Sequence, residues 1–394
     1  MSGGRLLFVN GVVSPHSDTP TVASFLESHP GAYTTTRTYN NGSLLLFWER
    51  HLRRLADSAR ILLNSKPKLL FKSGNSVKFL SQPAKRSIFD SAIGALVNDS
   101  MRKILPVALK ELKSGEELSI TALVNGNFEK LRDVKDVDEE EMISRVFDVY
   151  VHVGKYVPIV FGIPENVARL AVVGRGRDVA QAKYSEWVRL RRPLEKLRPP
   201  LVSELLLSND GDRILEGCVT NFFVVCRKDY NDNYDDAWRK DTHNCNEFSF
   251  EIQTAPVEDG ILPGVIRQLI IDICLRNGLP LREVASSWSE HEIWEEAFVT
   301  NSLRLVQPVE TIQVPSSWKL LDSKSLKDVT WKEKHFEEAP GRITAMIQKE
   351  IMKRVSVEAL RIQEHLCRIF LQMTFQCVSV TNVIQRYATL AFCF

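Results

Sequence analysis

A chain of 394 residues is long enough to bury a sizeable core and to form two domains. Fifty-one basic against forty-nine acidic residues leave a formal net charge of +2, so no global field favours nucleic acid or an anionic membrane, and a small-molecule partner is expected. Seven cysteines without C-x-x-C spacing and eight histidines without H-x-H, H-x-x-H or H-E-x-x-H pairing argue against a disulfide framework, a zinc site or a histidine-built metal centre, which fits a reducing, cytoplasmic setting.

The N-terminus reads as a strand, a turn at Asn10-Gly11 and a second strand, so mature structure and not a targeting signal is expected there. Residues 14–30 read as a loop with one short helix. The alternating run from Tyr33 to Tyr39, the turn at 40–42 and the apolar run Leu44 to Trp48 predict a hairpin. From Trp48 the period becomes helical, with Trp48, Leu52, Leu55, Ala59 and Leu62 on one stripe and Arg54 beside it. An arginine there is most simply a solvated helix residue; aimed into a cleft, its planar fork would hold a phosphate. Residues 64–90 read as a loop or insertion. A helix over 91–113, a strand over 118–124, an acidic run at 136–141 and a strand over 146–153 follow. Gly162 and Pro164 mark a linker, so the first domain is drawn as an α/β unit over 1–162.

The second domain, drawn over 163–315, starts with a strand at Ala168 to Val173. The glycines of GRGRD at 174–178 have part of a dinucleotide-binding spacing, but lack the third glycine and the later acidic residue that the motif needs. KYSEWVRLRRPLEKLRPP then gives a short helix broken by Pro193. SNDGD at 208–212 is a hairpin turn between Ser203–Leu207 and a strand at 213–215, which leaves Glu216 at a buried strand end. A strand over 221–226, a polar insertion over 227–247 and a strand over 250–256 come next. Leu262-Pro263-Gly264-Val265 opens an apolar helix that stops at Asn277-Gly278; free amides at such a helix start make an anion seat, although a plain turn before a core helix explains the same residues. A strand at 281–285, a short helix at 289–296 and two strands over 297–312 around Thr300-Asn301-Ser302 complete the domain. Residues 316–355 read as a linker and an amphipathic helix, and 356–394 as a tail whose polar residues exclude a membrane span.

Two residues suggest a chemistry. A buried carboxylate such as Glu216 needs something positive to face it, and a protonated pyridine nitrogen suits it; Lys183, 33 positions earlier, is the kind of amine that forms a Schiff base. With these in place the order of segments over 5–315 resembles the fold-type IV pyridoxal phosphate enzymes: branched-chain aminotransferases, D-amino-acid aminotransferases and aminodeoxychorismate lyases. HLRRLADSARILL is similar to the family's H-x-x-R-L helix, EGCVTNFF to its glutamate and asparagine segment, LPGVIRQLI to its L-P-G-I-T-R turn, and VTNSLRLVQPV to its last phosphate loop.

The resemblance implies an α/β (α+β) two-domain fold, with a smaller N-terminal α/β domain and a larger, mostly β C-terminal domain. It implies pyridoxal 5′-phosphate, carried by Lys183 with Glu216 and Asn221 at the pyridine edge, and a phosphate held by Arg54, the amides of Gly264, Val265 and Ile266, and the Ser302 hydroxyl. Tyr33 and Arg37 would face the substrate carboxylate, and a homodimer is implied. Three positions depart from the family: Ile266 stands where threonine is common, Glu186 where asparagine is frequent, and Asn125 where some members carry arginine. YTTTR at 33–37 is closer to the lyases and some amine-type transaminases. The implied function is amino-group transfer from an amino acid to a 2-oxo acid; an aminodeoxychorismate-type lyase and a catalytically silent cofactor-binding protein are the alternatives.

Overall fold

The computed structural model of the protein describes residues 5–14, 19–71, 86–133, 138–228, 249–318 and 329–364. The middle of the expected 64–90 loop, nearly all of the 227–247 insertion and most of the 356–394 tail lie outside them.

The first 156 residues supply six strands: β1 (Leu6–Val9), β2 (Val12–Val13), β3 (Ala32–Tyr39), β4 (Leu44–Leu45), β5 (Glu117–Gly126) and β6 (Phe147–Tyr156). They form an antiparallel sheet ordered β4-β3-β5-β6-β1-β2. The first helix, α1, is Val22–Ser28; α2 (Trp48–Ser65), α3 (Arg86–Leu109), α4 (Phe128–Asp133) and α5 (Glu139–Val146) follow in this half. The hairpin after β3 is shorter than the apolar run suggests. Phe47 turns left-handed at φ 48° and starts α2 one residue later, because Leu46 and Phe47 are taken into the core under two later helices. Along α2 the expected apolar stripe is buried, and beside it runs a second buried row, His51, Arg54 and Ser58, at helical spacing.

The second sheet is mixed. Its strands are β7 (Ala168–Gly174), β8 (Glu204–Ser208), β9 (Arg213–Gly217), β10 (Asn221–Arg227), β11 (Phe250–Thr254), β12 (Leu281–Glu283), β13 (Ser286–Ser287), β14 (Trp294–Asn301), β15 (Leu305–Pro315) and β16 (Trp331–His335). Six of them close on themselves in the order β10-β14-β15-β7-β8-β9, and the closing pair is Asn221 opposite Glu216. Closure abolishes the sheet edge at that point. The β8–β9 turn is held by Asp210, whose Oδ1 accepts from the amides of Asp212 and Arg213 at 2.9 and 2.8 Å.

The run FFVVC on β10 has no polar alternation because both faces are covered. Phe222, Val224 and Cys226 pack inside the barrel with Leu206, Ile214 and Trp294. Phe223 and Val225 pack outward against α8 (Val265–Arg276) and α9 (Arg342–Glu358), the helices after the short α6 (Trp187–Leu190) and α7 (Arg192–Glu195). The expected helix at 289–296 is a 3₁₀ turn over Trp288–Ile293.

Past α9 the chain returns to the first sheet as β17 (Leu360–Arg361), paired with β4. Helix α9 is capped from β14: Glu296 accepts from the Ile343 and Thr344 amides at 2.8 and 2.7 Å and from the Thr344 hydroxyl at 2.6 Å. A carboxylate is favoured at a helix N-terminus. Arg50 on α2 crosses to the other half, donating to Asp272 on α8 at 2.9 Å and to Glu358 on α9 at 2.7 Å. Among the described residues no helix is long and apolar enough to cross a membrane.

Candidate active site

A cavity of about 360 Å³ lies between the two sheets, walled by β3 and β5 on one side and by the β7–α6, β9–β10, β14–β15 and α8 openings on the other. Tyr33, Arg54, Lys183, Glu216, Asn221, Gly264, Val265, Ile266 and Ser302 all line it. Three of the singled-out residues do not. Glu186 accepts from Arg189 Nε at 2.7 Å in an exposed pair. Arg37, on the same face of β3 as Tyr33 and Thr35, turns its Nε to the Leu303 carbonyl at 2.8 Å and so braces the 301–304 turn. Asn125 donates to the Pro30 carbonyl at 2.6 Å, away from the cavity.

Lys183 belongs to no regular element, yet its backbone is fixed at the seam between the halves. Its amide donates to Ser58 Oγ on α2 at 3.1 Å, and its carbonyl accepts from the Tyr33 amide at 2.9 Å. The Nζ lies 4.7 Å from the Tyr33 ring centroid. Burial lowers the Lys183 amine to about 8; the Tyr33 phenol pulls the other way, and the Arg54 and Arg177 charges add to the fall. Burial alone would raise Tyr33, but Lys183, Arg191 and Arg177 bring it below its ordinary value.

Glu216 stands at the barrel closure. Its Oε1 accepts from Arg177 Nε at 3.0 Å; its Oε2 accepts from the Leu262 amide at 3.0 Å and from Asn221 Nδ2 at 3.4 Å. Of about four lone-pair positions on a carboxylate, one therefore remains for a further donor.

At the other end Arg54 is buried with no acidic partner among the described residues. Its Nη2 donates to Thr34 Oγ1 at 2.7 Å, and its Nε has no partner. Burial lowers this guanidinium to about 10. The Thr34 hydroxyl also meets His51 Nδ1 at 2.7 Å. Arg54 only donates, so Thr34 Oγ1 accepts from it; toward His51 the hydroxyl donates or accepts according to the imidazole tautomer, and burial pushes the His51 ring well below 6.5. Opposite Arg54, α8 begins at Gly264 without a side-chain cap, leaving its first-turn amides open to the cavity. A Cβ on Gly264 would meet Asn221 Oδ1 at 2.1 Å, so only glycine fits there. The Thr300 and Thr220 hydroxyls at the cavity wall are buried without partners. The Asn301 side chain holds the Ser302 turn by accepting from the Leu303 and Arg304 amides at 3.1 and 2.9 Å.

A buried cation lacking a counter-ion among the described residues, an uncapped helix start and orphaned hydroxyls are together a set of donors that could hold a phosphate. The single free acceptor position on Glu216 suits one ring N–H, and Lys183 faces the space between. These residues fit pyridoxal 5′-phosphate.

Arg177, Trp187, Arg191, Thr300 and Arg304 also line the cavity and were not singled out from the sequence. For Arg177 the sequence offers only its place in GRGRD, just ahead of Lys183, which does not separate a buried arginine from a solvated one. Among the described residues no cluster of His, Cys, Asp and Glu could hold a metal ion.

Residues 174–312 match the family model described as amino-transferase class IV. No curated protein sequence matches the chain. Among solved structures, the branched-chain aminotransferase from the thermophilic archaeon Thermoproteus uzoniensis with norvaline is 19% identical, with a TM-score of 0.53 over 91% of this chain and 99% of that one. The branched-chain amino acid aminotransferase from Thermobaculum terrenum in its PLP-form is 16% identical, TM-score 0.53, covering 90% and 94%. A fold IV transaminase from Curtobacterium pusillum is 15% identical, TM-score 0.52, covering 90% and 99%. At these identities the likeness shows the fold.

Proposed function

We propose that this chain, a fold-type IV protein whose residues 174–312 match the amino-transferase class IV family, is a pyridoxal 5′-phosphate-dependent transaminase acting on an amino acid and a 2-oxo acid. The observation that carries the reading is the convergence on one cavity of Lys183, the partly satisfied Glu216 and the unpaired Arg54. When bound, the cofactor supplies an electron-withdrawing ring that stabilises negative charge at the α-carbon of an amino substrate.

Each residue then has a task. Arg54, the Val265 and Ile266 amides and the Thr300 and Ser302 hydroxyls hold the phosphate. Ile266 contributes its amide alone, which is why the absent threonine at that position does not empty the cradle. Glu216 accepts from the ring nitrogen with its remaining lone pair and so favours the protonated ring. Lys183 moves a proton at its Nζ: with its value near 8, about one amine in ten is free at pH 7, compared with about one in several thousand for an ordinary lysine. Tyr33, whose ring centroid lies 4.7 Å from that Nζ, keeps it directed into the cavity.

The substrate side combines an apolar wall, Val22, Leu26 and Val188, with two cations, Arg191 and Arg304. Glu195 pairs with Arg191 at 2.9 Å, and among the described residues Arg304 donates to the neutral Gln307 at 3.0 Å, while the buried Glu204 lies close enough to feel both guanidinium charges. The two guanidinium forks at the wall suit a substrate carboxylate, with the side chain lying on the apolar wall. Arg37 acts behind the wall, through the Leu303 carbonyl.

Adding pyridoxal 5′-phosphate to the purified chain should give a visible band that borohydride fixes as an adduct on Lys183. An amino-donor panel, read by loss of that band, then identifies the donor. A band with no response to any amino acid would refute transamination and leave a binding protein. The lyase-like YTTTR segment, whose Tyr33 and Thr35 line the cavity, favours one second reading, aminodeoxychorismate-type elimination; pyruvate release without an amino acceptor would decide for it.

A further inference from the structure

The GRGRD segment is not a nucleotide loop, but its last arginine is the most connected side chain of the cavity wall. Arg177 is almost wholly buried, its side chain 5% exposed. Nε donates to Glu216 Oε1 at 3.0 Å, Nη2 to the Ala180 carbonyl at 2.8 Å and Nη1 to the Ala182 carbonyl at 3.4 Å. The guanidinium carbon also lies 5.6 Å from the Trp187 ring centroid. One planar group thus joins the loop that ends in Lys183 to the carboxylate at the barrel closure.

That loop needs a restraint. Val179 sits at φ 50°, a conformation that a β-branched residue adopts only when its surroundings force it. The two carbonyls that Arg177 grips lie just after Val179, and the Ala182 amide closes the turn onto the Val179 carbonyl at 3.0 Å. A second strut lies beyond the lysine: Trp187 Nε1 donates to the Cys218 carbonyl at 2.7 Å. Lys183 is held between the two.

We propose that Arg177 is a positioning residue that fixes Lys183 relative to Glu216, by clamping the 178–182 loop and seating the carboxylate with the same guanidinium. Without it the Val179 turn relaxes, Lys183 Nζ samples other directions, and both acceptor positions of Glu216 Oε1 open. The Trp187 strut and the barrel core remain, so the chain still folds. This rests on the cofactor reading above only where cofactor binding is measured.

The test compares wild type, Arg177→Met and Arg177→Lys, with Glu296→Gln as a control that loosens the fold far from the cavity. Three readouts are taken: hydrogen exchange over 178–186 in the cofactor-free chain, affinity for pyridoxal 5′-phosphate by spectral titration, and the pH midpoint of the bound cofactor's absorbance. Arg177→Met should exchange at least about tenfold faster over 178–186, bind the cofactor at least about tenfold more weakly, and shift the midpoint. Glu296→Gln should change none of these three. Arg177→Lys keeps the charge but cannot make the fork, so it should show the fast exchange with a smaller midpoint shift. Wild-type exchange or wild-type affinity in Arg177→Met overturns the proposal; if that variant does not fold, the same result in Arg177→Lys overturns it. A wild-type chain that takes up no cofactor refutes the cofactor reading instead, and the exchange data then decide the clamp by themselves.

Discussion

The residues facing the cavity rest on two kinds of support. For Glu216 the geometry is backbone geometry: Glu216 and Asn221 are a paired couple closing a barrel, and α8 starts where the barrel core sets it. Around Lys183 the backbone is irregular. Lys183 hangs between the Ser58 hydroxyl, the Tyr33 amide and the loop that Arg177 grips, and Arg54 reaches the cavity from a helix of the other half. A barrel closure stays put by cooperative pairing, whereas a seam stays put only while each hydrogen bond across it survives. The amine proposed to react belongs to the softer support, where burial can lower it and where it can still move.

Substitutions separate these two supports. Lys183→Ala should abolish borohydride-trapped adduct entirely while leaving the melting temperature close to wild type, because the Lys183 contacts to Ser58 and Tyr33 are made by its backbone. Arg54→Met should weaken cofactor affinity by roughly thirty- to hundredfold, the worth of about 2–3 kcal/mol of charge-assisted hydrogen bonding to phosphate. In the cofactor-free chain the same variant should be no less stable than wild type, since it removes a buried cation without a counter-ion. Unequal affinity with equal stability is what a spectral titration and a thermal melt should return together.

Acidity offers a third separation. The folded-state value of Lys183, about 8, lies below the ordinary 10.5, so the folded chain carries the cost of a buried ammonium below pH 8. That cost is relieved as pH rises from 8 towards 10.5, where only the unfolded chain still holds the proton. The rate of adduct formation with pyridoxal 5′-phosphate should therefore climb about tenfold per pH unit below 8 and level off above it. A rate still climbing through pH 9 would contradict the lowered amine. The smallest effect belongs to the barrel side: Glu296→Gln, at the start of α9, should cost about 1–2 kcal/mol and a few degrees of melting temperature, with unchanged cofactor affinity.

The same contrast explains what could be read from the sequence. The glutamate and asparagine of EGCVTNFF, the LPG turn and the α2 stripe are local patterns, so the barrel strands, most helices and nine of the cavity-lining residues were legible from spacing and resemblance. Arg177 was not, because a loop arginine looks solvated until its partner, 39 positions away, is known. Arg37 misled for the opposite reason: strand alternation put it on the cavity face with Tyr33, but the Leu303 carbonyl captures its guanidinium first. The hairpin after β3 was overextended because Leu44 to Trp48 is uniformly apolar, and only the second core, under α8 and α9, reveals why Phe47 turns away. His51, Arg54 and Ser58 at positions i, i+3 and i+7 form a buried polar row beside an apolar one; Arg54 reaches the cavity, His51 meets Thr34 and Ser58 holds the Lys183 amide.

The most direct measurement is borohydride reduction of the wild-type chain after incubation with pyridoxal 5′-phosphate, followed by peptide mapping. A single phosphopyridoxyl adduct on Lys183, lost in Lys183→Ala and reduced in Arg54→Met, is the expected result. No adduct, or one spread over surface lysines and indifferent to Arg54, would contradict the account.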